Sequence, residues 1–270
     1  MWIIFIFVAI IIIALLYVPI LEKFTANSKR PCAFIGYSQS SSKPLHLSEA
    51  DKLMTEGFNS FCIMGSDFPY REDRTDEQTA QEFVKRYIDL KVLGEKHGIR
   101  NMLFKVSIET APTQQGLDWA RTIIKAFKKY RDVLFYFDEP FNSVEENRYT
   151  IEQVRWLLNN LFYDVLDNTS NCLIIGLQHR LLNKFTSAIP VGCDIATSSY
   201  HALPSGRRVI FVSGHLWYHW FIALRYKFIK QHIGKLKVLS VWLYQGDVGW
   251  FCNLLNNFLR KRFIRVFTAN

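Results

Sequence analysis

The amino-acid sequence predicts an α/β fold, a (β/α)8 barrel preceded by one N-terminal transmembrane helix. Eight short apolar runs alternate with longer stretches of helical periodicity over residues 32–270, about one βα unit per 30 residues. A single barrel commonly has about 250 residues. Most of the runs are continuously apolar, as in parallel strands that are covered on both faces. The third observation is the start of the chain, where residues 2–20 carry no charged side chain.

The N-terminal segment is long enough to cross a membrane. A helix rises about 1.5 Å per residue, so residues 2–20 can span a hydrocarbon core of about 30 Å. No basic region precedes the run, so we expect a retained signal-anchor at residues 1–22, with a cleaved signal peptide as the alternative. A linker at 23–31 and a barrel domain at 32–270 follow. The protein is then a single-pass membrane protein.

Two features bear on the side of the membrane that holds the barrel. Lys23, Lys29 and Arg30 follow the span and favour a cytoplasmic barrel, although long domains are translocated regardless of such charges. The sequon at 168–170, in an expected helix-to-strand loop, suits a lumenal protein. We expect the barrel on the extracytoplasmic or lumenal side.

The apolar runs define the expected strands. They lie at residues 33–37, 58–64, 101–107, 133–137, 172–177, 193–198, 238–244 and 264–268, with 209–213 as a possible extra strand. Ser48, Thr75 and Ser143 are expected N-caps, since each has an acidic or amide residue three positions later. An open α/β sheet is the alternative fold.

Polar residues follow most of these runs, at the strand ends that carry function in parallel α/β folds. They are Gln39, Ser40, Asp67, Lys105, Glu109, Asp138, Glu139, Gln178, His179, Tyr200, His201, Gln245 and Asp247. Carboxylates bind hydroxyl groups and aromatic faces stack on sugar rings, so this ring predicts a carbohydrate substrate. The most specific feature is the pair Asp138 and Glu139, because adjacent carboxylates raise each other's pKa and a general acid needs a raised pKa. A turn with solvent-facing carboxylates is the alternative.

Three segments resemble the TIM-barrel glycoside hydrolases, in short motifs at strand ends. They are YFDEP at 136–140, CDIATSSYH at 193–201 and VLSVWLYQG at 238–246. The resemblance implies hydrolysis of O-glycosidic bonds with Glu139 as acid/base and Asp138 in contact with the sugar. It also implies that Tyr200, Trp242 and Gln245 line the subsite. From the ring of strand-end residues and its aromatic neighbours we add Tyr37, Asp67, Glu109 and His179 as substrate contacts.

One departure affects the expected mechanism. Retaining hydrolases of this group carry a glutamate nucleophile at the end of strand seven, where we expect Gln245, with Asp247 two residues later. An amide cannot form a glycosyl-enzyme ester. Asp247, Asp67 or Glu109 is then the second carboxylate, or water attacks directly, or the barrel is a catalytically inactive glycan-binding protein.

Other signals exclude several classes of function. No dinucleotide or P-loop motif occurs, and His215 and His219 lack the Glu of a zinc-protease motif, so we expect neither cofactor nor metal. Residues 207–270 contain 11 Lys or Arg and one acid, Asp247. The basic, aromatic stretch at 207–237 suits either a membrane surface or an ordinary solvated helix, which leaves a membrane-surface interaction protein as a further alternative. The tether argues against nucleic acid as a partner.

Overall fold

The chain folds into a closed barrel of eight parallel strands in sequential order. The computed structural model describes residues 34–39, 45–65, 75–169, 171–178, 181–197, 208–213 and 237–245. The strands are β1 (Ile35–Gln39), β2 (Ser60–Ile63), β3 (Leu103–Ser107), β4 (Val133–Phe137), β5 (Cys172–Gly176), β6 (Asp194–Thr197), β7 (Arg208–Ser213) and β8 (Lys237–Gln245). The prediction of a parallel eight-stranded α/β barrel is therefore confirmed.

Helices follow most of the described strands. They are α1 (Leu47–Glu56), α2 (Asp76–Lys96), α3 (Gln114–Ala126), α4 (Asn142–Glu145), α5 (Ile151–Asn168) and α6 (Leu182–Phe185), the last continued by a 3-10 turn at Thr186–Ala188. The three long helices α2, α3 and α5 each lie between consecutive strands and supply the βα units that the apolar periodicity predicts.

The predicted order of the last two strands is wrong. The seventh strand is Arg208–Ser213, which the sequence suggested only as an extra strand, and residues 238–244 belong to the eighth strand. The segment 264–268, predicted as strand eight, lies outside the described residues. The error arises because only residues 198–207 separate β6 from β7, so the average spacing of the βα units does not hold there.

The structure tests the three predicted N-caps directly. Thr75 forms the full capping box with Gln78 at the start of α2. Ser48 lies inside α1, which begins after His46 without a side-chain cap. Ser143 donates its hydroxyl to the carbonyl of Pro140 at 2.6 Å and lies within the short helix α4. A second capping box, which was not predicted, joins Thr150 and Gln153 at the start of α5.

The core has two layers. One apolar cluster fills the space between the sheet and the helices, and a second fills the inside of the barrel, with Tyr136, Ile174 and Trp242 among its members. The two layers follow from the alternation of side chains along each strand. Inside the barrel, Gly36 of β1 leaves room for Trp242 of β8, and the two residues are register partners.

The membrane predictions fall outside this part of the chain. The predicted anchor at 1–22 and linker at 23–31 are not among the described residues. No helix within the described ranges combines the length and apolar character that a membrane span needs. The predicted sequon residue Asn168 is the last residue of α5 rather than a loop residue, and its amide donates to the carbonyl of Asp164 at 2.8 Å.

Gly36→Ala is expected to destabilise the barrel. A Cβ at this position would lie 2.1 Å from the ring of Trp242, which is fully buried, so ring or backbone must move. Overpacking of this kind costs about 1–3 kcal/mol. The free energy of unfolding, from urea titrations followed by circular dichroism, measures the loss. Gly65→Ala is the matched control, because a Cβ there meets no atom within 4 Å. Equal unfolding midpoints for the two variants would contradict the packing of Trp242 against β1.

Candidate functional site

Two adjacent strands bring acidic side chains to the carboxyl end of the barrel. Ser107 of β3 is the register partner of Tyr136 of β4, and the N–H of Ile108 donates to the carbonyl of Tyr136 at 2.9 Å. Glu109 and Asp138 each follow these partners by two residues, just beyond the ends of the strands. Neighbouring strands are about 4.8 Å apart, so the register itself makes these carboxyl groups neighbours.

Glu139 is held in a strained backbone conformation by side chains from two elements. Its φ is 41°, in the left-handed region that non-glycine residues rarely adopt. Its Oε2 accepts hydrogen bonds from Nδ2 of Asn142 at 2.5 Å and from Nε2 of Gln178, beyond the end of β5, at 2.6 Å. Two N–H donors on one oxygen fix the position of the carboxyl group. Backbone strain that the surroundings hold in place is typical of functional sites.

Asp138 is positioned by a tyrosine from inside the barrel. The hydroxyl of Tyr136 donates to Oδ1 of Asp138 at 2.5 Å. Burial raises the pKa of Tyr136 well above its usual value, and the negative charge of Asp138 raises it further. Tyr136 therefore remains a donor. The contact depends on Gly176 of β5, since a Cβ there would lie 2.7 Å from the tyrosine hydroxyl and 2.8 Å from Oδ1.

Lys105 lies beneath these acids, inside the barrel. It is only 3% exposed, and its Nζ lies 4.0 Å from the ring centroid of Tyr136 and 4.8 Å from the ring of Trp242. Contacts of an ammonium group with aromatic faces are cation–π interactions. A positive charge thus lies below the rim on which Glu109, Asp138 and Glu139 stand.

The acids influence one another through their charges. Loss of solvent around its carboxyl group raises the pKa of Glu109, and the charges of Asp138 and Glu139 raise it further. A carboxyl group whose pKa is raised in this way is a candidate for proton transfer to or from a bound molecule.

Two of the expected substrate contacts are buried in the core. Tyr37 is fully buried and packs edge-on against Phe58 in the layer between sheet and helices. Gly36 faces Trp242 inside the barrel, so the next residue, Tyr37, faces outward and cannot line a subsite. Trp242 does face the interior, but it is 0% exposed and forms part of the filling below the rim.

The remaining expected contacts fall at the limits of the described chain. Gln245 is the last residue of β8, not of strand seven, because the seventh strand is Arg208–Ser213. It therefore does not replace a strand-seven nucleophile. The expected site residues that lie outside the described ranges are Asp67, His179, Tyr200 and Asp247.

Three residues that the structure places at this site have no predicted role. The sequence predicts Lys105 and Gln178 only as strand-end polar residues, and it does not predict Asn142. The short spacing from Glu139 to Asn142 is the local signal that could have identified the amide. Only the barrel geometry brings Gln178 to Glu139 and places Lys105 against Tyr136.

A cavity of about 530 Å³ lies at the opposite end of the barrel, where the chain enters the strands. Its lining includes Phe34, Lys91, Arg100 and Asp132. Lys91 is already paired with Asp132 at 2.6 Å. Within the described ranges, no three His, Cys, Asp or Glu side chains are grouped so that they could hold a metal ion. The rim at the ends of β3, β4 and β5 is therefore the candidate site.

Solved structures share this fold. A native Bacteroidetes-affiliated GH5 cellulase linked with a polysaccharide utilization locus aligns with a TM-score of 0.50 and 10% identity, over 93% of this chain and 94% of that chain. A hyperthermophilic β-glucosidase mutant aligns with a TM-score of 0.50 and 8% identity, over 80% of this chain and 91% of that chain. No protein-family model matches the chain, and no curated protein matches its sequence. The protein is a TIM-barrel protein whose fold is that of these glycoside hydrolases.

Glu109→Gln is expected to stabilise the protein at neutral pH. The pKa of Glu109 is raised in the folded state, so its ionised form destabilises the fold, and this penalty disappears when the group is protonated. The melting temperature of the variant should exceed that of the wild type at pH 7. The difference should shrink as the pH falls through the raised pKa and vanish below the ordinary pKa of a glutamate. Glu146→Gln, which removes a carboxylate paired with Arg148 on the surface, is the matched control. An unchanged or lower melting temperature for Glu109→Gln at pH 7 would refute the coupling.

Proposed function

We propose that this barrel hydrolyses O-glycosidic bonds in a glycan, with Glu139 as the general acid. The observation that carries the proposal is the strained Glu139, held by two amides beside Asp138 and Glu109 at the carboxyl end of the barrel. Glycoside hydrolysis uses two carboxyl groups that flank the bond to be broken. The fold shared with glycoside hydrolases supports the same choice.

The proposed reaction follows from the separate environments of the two glutamates. Both hydrogen bonds to Glu139 go to Oε2, so Oε1 is the oxygen that carries the proton to the glycosidic oxygen as its bond to the anomeric carbon breaks. Water attacks that carbon and loses a proton to Glu109, whose raised pKa makes it a better proton acceptor. Asp138, fixed by Tyr136, binds a hydroxyl group of the sugar.

Direct attack by water is favoured by the composition around strand seven. Neither β7 nor residues 214–246 contain an Asp or Glu. A nucleophilic glutamate at the end of that strand is therefore absent from the sequence. The same observation favours a second candidate function, a barrel that binds a glycan without hydrolysing it.

We also propose that residues 1–22 form a single-pass anchor and that the barrel lies on the extracytoplasmic or lumenal side. The uncharged run at 2–20 supports the anchor. The aromatic part of the basic stretch at 207–237 lies between β7 and β8, outside the described residues, and contact of this stretch with the membrane surface stays a prediction.

Glu139→Gln tests the acid assignment through the leaving group. Loss of a general acid removes about 10²–10⁴-fold of the rate, and the loss is largest when the departing alcohol is a poor leaving group. We expect kcat/KM to fall by about that factor for a glycan or an alkyl glycoside of the sugar that the wild-type protein hydrolyses. A nitrophenyl glycoside of the same sugar needs little protonation and should lose much less.

Glu146→Gln serves again as the charge-matched control and should retain wild-type rates. Equal losses for both leaving groups would show that Glu139 is not the acid. If no glycan in a broad panel is hydrolysed but one binds at this rim, the second candidate function is supported instead.

The anchor is tested by extraction of the full chain from membranes. A retained anchor resists washing with alkaline carbonate, and mass spectrometry of the purified protein should find peptides from residues 1–22. Release by the wash, together with a new N-terminus beyond residue 20, would establish a cleaved signal peptide.

A further inference from the structure

The loops that lead into the strands form the end of the barrel opposite the candidate site. Because all eight strands are parallel, they all begin at that end. The chain reaches β1 at Ile35, and the proposed anchor ends at residue 22. Residues 23–34 join the two, and a chain of this length spans at most about 43 Å. The anchor therefore holds this end of the barrel nearest to the bilayer.

Two neighbouring loops at this end carry a set of exposed cations. The loop 97–102 enters β3 and the loop 127–132 enters β4, and these two strands are paired. We call the two loops together the basic surface. Their cations are all exposed, and within the described residues none of them forms an ion pair: Arg100, Lys128, Lys129 and Arg131. These positive charges face solvent.

The acids nearby do not neutralise the basic surface. Asp132 accepts hydrogen bonds from the hydroxyl of Tyr87 and from Nζ of Lys91, each at 2.6 Å. Glu95, in the last turn of α2, is exposed, but the next residue is Lys96, which is also exposed. The charge of the exposed cations in the two loops is therefore left over.

Aromatic packing holds the loop 127–132 in place. Phe127 is fully buried, and the ring of Tyr130 lies 4.5 Å from the ring of Tyr87, centroid to centroid. The carbonyl of Tyr130 accepts a hydrogen bond at 2.7 Å from Nδ2 of Asn171, in the loop that enters β5. The cations of this loop thus stand on a preorganised backbone, which reduces the entropy that is lost when they bind a partner.

Apolar side chains are exposed at the same end of the barrel. Val191, in the loop that enters β6, is 88% exposed, and Leu166, in the last turn of α5, is 54% exposed. Cations together with exposed apolar side chains favour the headgroup region of a bilayer, where the first meet phosphate groups and the second meet the upper part of the acyl chains.

We propose that the basic surface binds the anionic phospholipid headgroups of the bilayer that holds the anchor. The inference rests on the proposed anchor and not on the side of the membrane, since an acidic lipid in either leaflet supplies the charge. A short tether gives an effective concentration of about millimolar, so individually weak contacts suffice to keep the barrel docked. The acids Glu109, Asp138 and Glu139 lie at the other end, so docking directs the candidate site away from the bilayer.

Hydrogen exchange of the full chain in lipid nanodiscs tests this contact. Nanodiscs of phosphatidylcholine alone are compared with nanodiscs of equal parts phosphatidylcholine and phosphatidylserine. Each cation beside an anionic surface strengthens binding about fivefold, so amide exchange in loops 97–102 and 127–132 should slow roughly 10- to 100-fold with phosphatidylserine. High salt, which screens exposed charges, should abolish the slowing.

A triple variant identifies the residues responsible. Lys128→Gln, Lys129→Gln and Arg131→Gln together should remove most of the slowing, while exchange in β3 and β4 stays that of the wild type and shows that the fold is retained. The matched control removes three exposed cations that lie on α1, α2 and α5, outside the two loops, and it should keep the slowing: Lys52→Gln, Lys85→Gln and Arg155→Gln.

Several outcomes would overturn the proposal. Equal exchange in the two kinds of nanodisc is one, and slowing that persists in the first triple variant is another. Slowing caused by an RNA oligonucleotide in phosphatidylcholine nanodiscs, without any slowing by phosphatidylserine, would assign the basic surface to nucleic acid instead.

A chain that does not insert into nanodiscs would reject the anchor, and the basic surface is then tested separately. The purified protein should float with phosphatidylserine vesicles and not with phosphatidylcholine vesicles, and the first triple variant should bind the former about 100-fold more weakly. Absence of flotation with both kinds of vesicle would reject the basic surface as well.

Discussion

Closure of the barrel is the constraint on which the rest of the structure depends. β1 pairs with β8 along five register partners, from Ile35 with Val241 to Gln39 with Gln245, so the sheet has no free edge. A closed barrel of eight strands has an interior just wide enough for side chains, and here Trp242 fills it because Gly36 has no side chain. The filled interior leaves the rim as the place where side chains can meet a ligand. The candidate site is a consequence of that packing.

The sequence predicts the strands well where each is separated from the next by a helix. Strands β2 to β6 fall within or beside the predicted apolar runs because burial on both faces excludes polar residues. The prediction fails at β7, since too few residues separate it from β6 to hold a typical crossover helix. Burial on both faces also removes the alternation of polar and apolar residues. The sequence therefore cannot show that Tyr37 faces outward and Gly36 inward, which depends on the register of β1 and β8.

The candidate site is predictable only in its local part. Asp138 and Glu139 are recognisable from an acidic pair that directly follows an apolar strand. Their partners are not, because Gln178 reaches Glu139 across 39 positions of sequence, and the approach of Glu109 to Asp138 depends on the pairing of Ser107 with Tyr136. Composition could identify Lys105 as a polar residue at a strand end. Only the closed barrel shows that it lies between two aromatic rings.

The two proton transfers of the proposed reaction act on each other through the charges of the rim. Burial raises the pKa of Glu109, and the charges of Asp138 and Glu139 raise it further. In the proposed reaction Glu139 gives its proton to the glycosidic oxygen and is left with a negative charge beside Glu109. A like charge nearby favours the protonated form of a carboxyl group, so the departure of the proton from Glu139 strengthens Glu109 as the acceptor of the proton from water.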